Sequence, residues 1–567
     1  MLNIGKLTGV SLAAIFLAVG FPAAVASADA GSELASNAAT SEHGWLDRFY
    51  TDRNMKPVWT NKRSAKRKLK RYVDALGRAN EFGLDPEDYG YSTLTSAIKE
   101  VSPATYRKID RMASLSFVNF ALDVREGRIS PRFDFTSEEL AGREVSRAQI
   151  LSGAAKKKDP QRYLATLRRD NPIQASLTDA MRKYLAFAES GGWEPISIDA
   201  TKLEIGATGK AVEAVAARLR AEGFFNGDLS TKTVTVNTAS GNVDTEETMS
   251  QERTVALYDE TLAGAVKRFQ KSRGIVPDGI VGPNTLEKMN VAPEELVNNI
   301  RINIERARWL PQDFSERYVL VNIARFTVGL YENERLQQEI KTVVGKYHQQ
   351  TPVFAGSMSY VVFNPYWNVP FSILRDEIAP KVLEDTDYLA KNNYEVVRGW
   401  DDETAEIVDP KSIDWNDVIA GETDIRVRQK PGPSNALGRV KFMFPNEYAV
   451  YLHDTPAQAL FERTDRAFSH GCIRLDEPLE FAEWVFSRSS DWDYDKIEAV
   501  LAAETRETVP LETEIPVYVT YFTAWAGPDG DVYFLDDVYN RDSKLAAALK
   551  RAAPVLEVAE TANFNLK

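Results

Sequence analysis

The 567-residue chain holds one cysteine, Cys472, and two of its four histidines, His453 and His470, lie within 20 positions of it. A thiolate is a strong nucleophile, and a nearby imidazole can take its proton and keep it reactive near neutral pH. His453 precedes Cys472 by 19 positions, far enough to return from a separate strand or loop. His470 precedes it by two, so in extended backbone the two side chains would share a face. Gly471 keeps bulk away from the sulfur and lets backbone N–H groups approach a substrate oxyanion.

Other uses of these residues compete with nucleophilic catalysis. A lone cysteine is commonly a small buried hydrophobe, but a core strand would not choose the polar, turn-prone Ser469-His470-Gly471 beside it. His453, Asp454, His470 and Cys472 are all possible zinc ligands, yet their spacing matches no common structural or catalytic zinc pattern. A disulfide within the chain is excluded because there is no second cysteine. A cysteine nucleophile with a histidine base is the best account, and it calls for no metal or organic cofactor.

His453 together with Ser469-His470-Gly471-Cys472-Ile473-Arg474 resembles the signature of the L,D-transpeptidases, the YkuD-type cysteine enzymes of peptidoglycan. Further stretches resemble the large multidomain periplasmic (YcbB-like) branch of that family. They are Thr351-Pro352-Val353-Phe354, Asn364-Pro365-Tyr366-Trp367-Asn368-Val369-Pro370, Ser372-Ile373 and Thr520-Tyr521-Phe522-Thr523-Ala524-Trp525.

The resemblance implies Cys472 as nucleophile and His453 as general base, with the backbone carbonyl of Asp454 fixing the imidazole tautomer. The Asp454 carboxylate is the rival orienter. His470 would shape the pocket or polarise the thiol, and the N–H groups of Gly471 and Cys472 would form an oxyanion hole. Arg474 would hold a substrate carboxylate or brace the loop, and Tyr366, Trp367 and Ser469 would line the substrate groove. The implied reaction attacks the bond between the third residue and the terminal D-alanine of a tetrapeptide stem, leaving a thioester. The side-chain amine of a neighbouring stem's diamino acid then forms a 3–3 cross-link, and carbapenems would acylate the same cysteine. Hydrolysis of the thioester, an L,D-carboxypeptidase activity, is the alternative within enzymes; a non-catalytic wall-binding scaffold is the alternative outside them.

Composition is ordinary for globular domains, 44% hydrophobic and 27% charged, and a net charge of −13 argues against nucleic acid as the main partner. The length allows about four domains. Residues 1–28 read as a secretory signal: Lys6 supplies a positive start, Leu7 to Phe21 is mostly apolar, and Ala24-Val25-Ala26 or Ala26-Ser27-Ala28 gives a cleavage pattern, with cleavage expected after Ala28. Export to the periplasm of a Gram-negative-type envelope is expected, with 29–44 as a polar linker.

The remainder reads as a multidomain α+β protein. Residues 45–195 carry helical periodicity without visible chemistry and form a scaffold, with the basic run Lys66–Arg71 on a solvated helix face. Residues 203–292 resemble a peptidoglycan-binding repeat through Gln270 and Asp278-Gly279-Ile280-Val281-Gly282. A polar insertion at 227–253, read as a loop, could cover a glycan-contacting surface. Residues 315–540 turn β-rich and are expected to form the catalytic domain, interrupted at about 374–425 by a capping insertion rich in Asp, Glu and Lys, with helical stretches such as Ile378 to Leu389. Tyr448–Leu452 reads as the strand that delivers His453, Asp476 as the cap of the next helix, and 541–567 as a helical tail.

Overall fold

The computed structural model describes residues 44–130, 146–168, 170–198, 200–239, 248–399, 404–527 and 529–551. The expected signal segment and cleavage site lie outside these residues. No helix among the described residues is long and apolar enough to cross a membrane.

The first unit is helical: α1 Gly44–Asp52, α2 Arg67–Leu76, α3 Tyr106–Glu126, α4 Arg147–Lys156, α5 Pro160–Leu167 and α6 Pro172–Glu189. Its centre is α3, where Ile109, Ala113, Phe117, Phe120 and Val124 recur at helical spacing and are buried. The buried carboxylate of Asp110 on the same helix accepts hydrogen bonds from the backbone N–H groups of Val58, Trp59 and Thr60. One side chain thereby ties down the loop before α2. The basic run is only partly solvated: Lys68 lies over the Trp59 ring at 5.1 Å and Arg71 pairs with Asp159 at 3.2 Å. Pro172 opens α6 at its first turn, where the missing N–H costs nothing, and Asn171 caps it.

The second unit contains α7 Lys210–Glu222, β1 Thr231–Ala239, β2 Thr248–Ala256, α8 Glu260–Ser272 and α9 Pro283–Met289. Gln270 donates from Nε2 to Asp278 and Ile280 while its carbonyl accepts from Gly279 N–H, so it holds the closing loop. The insertion read as a loop is instead an antiparallel ribbon, β1 paired with β2 from Thr231↔Ala256 to Ala239↔Thr248. Its Thr and Val residues are β-branched and favour extended backbone, a signal outweighed in the sequence by polarity. Helix α10, Pro293–Arg308, then packs along α6 and leads into the β-rich unit.

That unit opens with β3 Arg317–Asn322, β4 Thr327–Glu332, β5 Arg335–Gly345 and β6 Phe354–Phe363. The cap follows: β7 Trp367–Asn368, a π-helical turn Leu374–Ile378, α11 Ala379–Glu384, α12 Tyr388–Lys391, β8 Tyr394–Arg398, β9 Glu406–Val408, α13 Trp415–Ala420 and β10 Ile425–Gln429. Beside these helices its strands form a four-stranded sheet in the order β7-β10-β8-β9. The chain returns through β11 Val440–Met443, β12 Leu452–His453, β13 Ala467–Ser469 and β14 Ile473–Leu475. It ends with α14 Pro478–Phe486, α15 Tyr494–Ala502, β15 Glu507–Thr520, β16 Ala524–Ala526, β17 Val532–Phe534 and α16 Asp542–Arg551.

The main sheet has nine strands, in the order β13-β5-β14-β12-β11-β6-β15-β3-β4, and β4 also pairs with β5, closing it on itself. Its interior merges with residues of α6 and α10 in one apolar core. Helix α14 starts on Pro478, so Glu477 rather than Asp476 occupies the position before it, and its side chain makes no capping bond. Helix α16 packs back on α10 through Arg306–Asp542 at 2.5 Å.

Candidate active site

Two short strands set the site. β12 and β14 run parallel, with Leu452 opposite Ile473 and His453 opposite Arg474. Leu452 and Ile473 are both fully buried in the core. Side chains alternate along a strand, so their neighbours Tyr451, His453, Cys472 and Arg474 face the other way. Lys441 of β11 stands opposite His453 and joins that face. All five line one cleft of about 420 Å³, roofed by cap residues that include Trp367 and Ile373.

The expected strand Tyr448–Leu452 is mostly a turn. Asn446 accepts from the N–H groups of Tyr448 and Val450 and donates to the carbonyls of Phe444 and Val450. Ala449 takes φ +52 inside this clamp, and its carbonyl lies 3.8 Å from Cys472 Sγ.

His453 donates from Nδ1 to the Asp454 carbonyl oxygen at 2.5 Å. That bond assigns the proton to Nδ1 and leaves Nε2 as an acceptor. The Asp454 carboxylate, the rival orienter, is engaged elsewhere: Oδ2 accepts from Arg439 N–H at 2.8 Å and Oδ1 from Thr455 N–H at 2.6 Å. It packs on Gly438, whose φ is +61 and where a Cβ would fall 2.2 Å from the carboxylate carbon. Asp454 therefore orients His453 through its main chain, while its side chain braces the loop.

The nucleophile loop, 470–472, crosses the end of β5, with β13 and β14 both paired to that strand. Gly471 has φ +116, a region other residues rarely enter. The buried Ser469 hydroxyl donates to the Cys472 carbonyl at 2.6 Å and accepts from Gly471 N–H at 3.0 Å. Thr351 Oγ1 donates to the Gly471 carbonyl at 2.8 Å. Ser469 lines the cleft and braces the loop at once. One expectation changes: the Gly471 N–H is already occupied by the Ser469 hydroxyl and is not free for an oxyanion. The Cys472 N–H has no hydrogen-bond acceptor among the described residues.

His470 lines the same cleft as Cys472, with Gly471 at positive φ between them. Its Nε2 lies 2.9 Å from Glu377 Oε1 of the cap and 3.4 Å from Lys346 Nζ. Arg474 is half-buried beside the thiol, and its buried Nε has no hydrogen-bond partner. Tyr366 lies under Arg428 at 4.2 Å and Trp367 is half-buried against the cap core, both at the cleft wall.

Electrostatics fix the resting protonation. Burial, then the Arg474 and Lys441 charges, push the His453 pKa down to about 3 against the bonds to main-chain groups of Asp454 and Leu437. Burial also pushes the Cys472 thiol up, partly offset by hydrogen bonds with Tyr451 and by the two cations. Both shifts favour the uncharged forms, so the site rests as thiol and neutral imidazole rather than as an ion pair. Among the described residues no group of three or more histidine, cysteine or acidic side chains could hold a metal.

Tyr451, Lys441 and Glu377 were not singled out from the sequence. The first two were legible once the β11–β12–β14 register was known, since alternation alone places them. Glu377 was not, because only the packing of the cap brings it to His470.

Three stretches of the chain match known protein families. Residues 44–181 match the family "Scaffold domain", 208–289 the family "Putative peptidoglycan binding domain", and 316–497 the "L,D-transpeptidase catalytic domain" family, YkuD. A Haemophilus influenzae protein named "Putative L,D-transpeptidase" is 34% identical over 253 residues, covering 45% of this chain and 50% of the relative. The match thus spans about half the length of that relative.

Solved structures with some likeness include an L,D-transpeptidase from Mycobacterium smegmatis, at 13% identity and TM-score 0.18, covering 36% of this chain and 58% of that one. Another is an L,D-transpeptidase from Stackebrandtia nassauensis, at 12% identity and TM-score 0.19, covering 57% and 97%. At those TM-scores no argument rests on them. The domain matches, with the Cys472–His453 geometry inside the third, show that the chain carries a YkuD-type L,D-transpeptidase catalytic domain joined to a scaffold domain and a peptidoglycan-binding domain.

Proposed function

We propose that the protein is a peptidoglycan L,D-transpeptidase that forms 3–3 cross-links through a thioester on Cys472. The observation that carries this reading is geometric: Cys472 shares a cleft with a histidine whose Nδ1 proton is fixed on the Asp454 carbonyl, leaving Nε2 to accept. In the first half-reaction Nε2 takes the thiol proton as sulfur attacks the carbonyl between the diamino acid and D-alanine. The C–N bond breaks, the proton passes from His453 to the departing amine, and the acyl group remains on sulfur. In the second, the acceptor amine attacks the thioester, gives a proton to His453, and the thiol is regenerated. The Cys472 N–H donates to the oxyanion, and the half-buried Arg474 guanidinium holds a carboxylate of the donor stem.

The peptidoglycan-binding unit is proposed to contact glycan, and the apolar stretch Leu7 to Phe21 to direct export to the periplasm. Mass spectrometry of the protein and of Cys472→Ala with disaccharide-tetrapeptide tests the reaction. Cross-linked dimer from the parent alone is expected. Tripeptide without dimer would assign a carboxypeptidase. Inert protein that also gains no mass from a carbapenem would overturn the catalytic reading.

A further inference from the structure

The neutral resting pair leaves a question of charge. When His453 removes the thiol proton, a thiolate develops in a buried site and again when the thioester collapses. The Gly471 N–H cannot receive that charge, because Ser469 holds it at 3.0 Å. The Ala449 carbonyl, 3.8 Å from Sγ, is an acceptor and would oppose it.

Tyr451 stands on the face that carries Cys472. Its carbonyl accepts from Ile473 N–H at 3.1 Å, which fixes it beside the cysteine across the β12–β14 pair. Its ring lies 5.6 Å from the His453 ring, and Lys441 Nζ sits 3.8 Å from its centroid. The phenol has no oxygen or nitrogen hydrogen-bond partner among the described residues. Burial, then the adjacent sulfur, keep the phenol protonated, so it can act as a donor.

We propose that Tyr451 is a further catalytic residue, whose phenol O–H donates to Cys472 Sγ and stabilises the thiolate on both sides of acylation. The thiol proton still goes to His453 Nε2, and Tyr451 keeps its own. Lys441 over the ring strengthens the phenol as a donor. The other charged or titratable groups around the sulfur are His453, Arg474, His470 on its own loop, Glu377 of the cap and Lys346 at the end of β5.

The inference rests on Cys472 being the nucleophile of the proposed reaction, but its test reads the thiol without peptidoglycan. The rate of Cys472 alkylation by iodoacetamide is measured against pH in the parent and in Tyr451→Phe, with thermal melting as a check on folding. The alkylation midpoint is expected to rise by about one to two pH units, the size of one hydrogen bond to a charged group. An unchanged midpoint in folded Tyr451→Phe would overturn the proposal. If that variant does not fold, 3-fluorotyrosine at position 451 keeps the shape and makes the phenol a stronger donor. A lower midpoint then supports the proposal and an unchanged one overturns it. A shifted profile in a protein that does not process stem peptides would sink the transpeptidase reading and leave the role of Tyr451 standing.

Discussion

At the scale of single residues, His453 ties pH to stability. Its pKa is about 3 in the folded chain, against about 6.5 when unfolded. Between those values the unfolded chain takes up a proton that the folded one refuses, so stability falls as pH drops through that window. At pH 3.5 the loss from this group is about 4 kcal/mol as an upper figure. Urea unfolding at pH 7 and 3.5 is therefore expected to show a smaller acid loss in His453→Asn than in the parent; equal losses would mean that His453 is not buried neutral. Ser469 permits a second test. Ser469→Ala orphans the Gly471 N–H and the Cys472 carbonyl, and should cost about 1–3 kcal/mol in melting experiments. It should also slow acylation by at least about tenfold. Faster acylation would instead assign the freed Gly471 N–H to the oxyanion.

At the scale of elements, the cap meets the nucleophile loop through Glu377 and His470, 2.9 Å apart. Glu377 sits in a π-helical turn, an irregularity often found at functional positions. The pair is partly exposed, so its contribution to stability is about 0–1 kcal/mol. Glu377→Ala is expected to leave the melting temperature nearly unchanged while raising KM for the donor stem about threefold to tenfold, by loosening cap closure. A large stability loss with unchanged KM would make the pair structural. The same contact shows where the sequence stopped being readable. Cys472, His453 and the β-rich character around them were legible because residue type and local period carry them. The β1–β2 ribbon was missed because its residues are polar, and polarity masked their preference for extended backbone. The turn at Asn446 was missed because one side chain takes over the hydrogen bonds a strand would have made. The commitment of the Gly471 N–H to Ser469 depends on loop geometry that two adjacent motif residues do not reveal.

At the scale of the whole molecule, the three units are joined by buried charge rather than by apolar surface alone. Glu222 of α7 pairs with Arg218 at 2.7 Å and with Arg273 at 2.5 Å, and accepts from Tyr184 Oη of α6 at 2.7 Å. Burial opposes the carboxylate, but Arg273 and Arg218 prevail and hold its pKa below the usual range. Arg273 also lies 5.0 Å from the Phe534 ring of the catalytic unit, and Arg268 grips Asp531 with two bonds of 2.7 and 2.6 Å. The peptidoglycan-binding unit is thus fixed against the catalytic unit, and a glycan held by one would reach the other at a set distance. Removing Glu222 leaves two buried guanidinium groups without their counter-charge, which costs about 3–5 kcal/mol. Calorimetry of Glu222→Ala is expected to show a separate, earlier transition for the 208–289 unit, where the parent unfolds these units together. Because none of the junction residues lines the Cys472 cleft, carbapenem acylation should proceed at the parental rate while turnover of intact sacculi falls. If turnover on sacculi and on soluble disaccharide-tetrapeptide fell equally, the junction would be supporting the active site itself rather than presenting glycan to it.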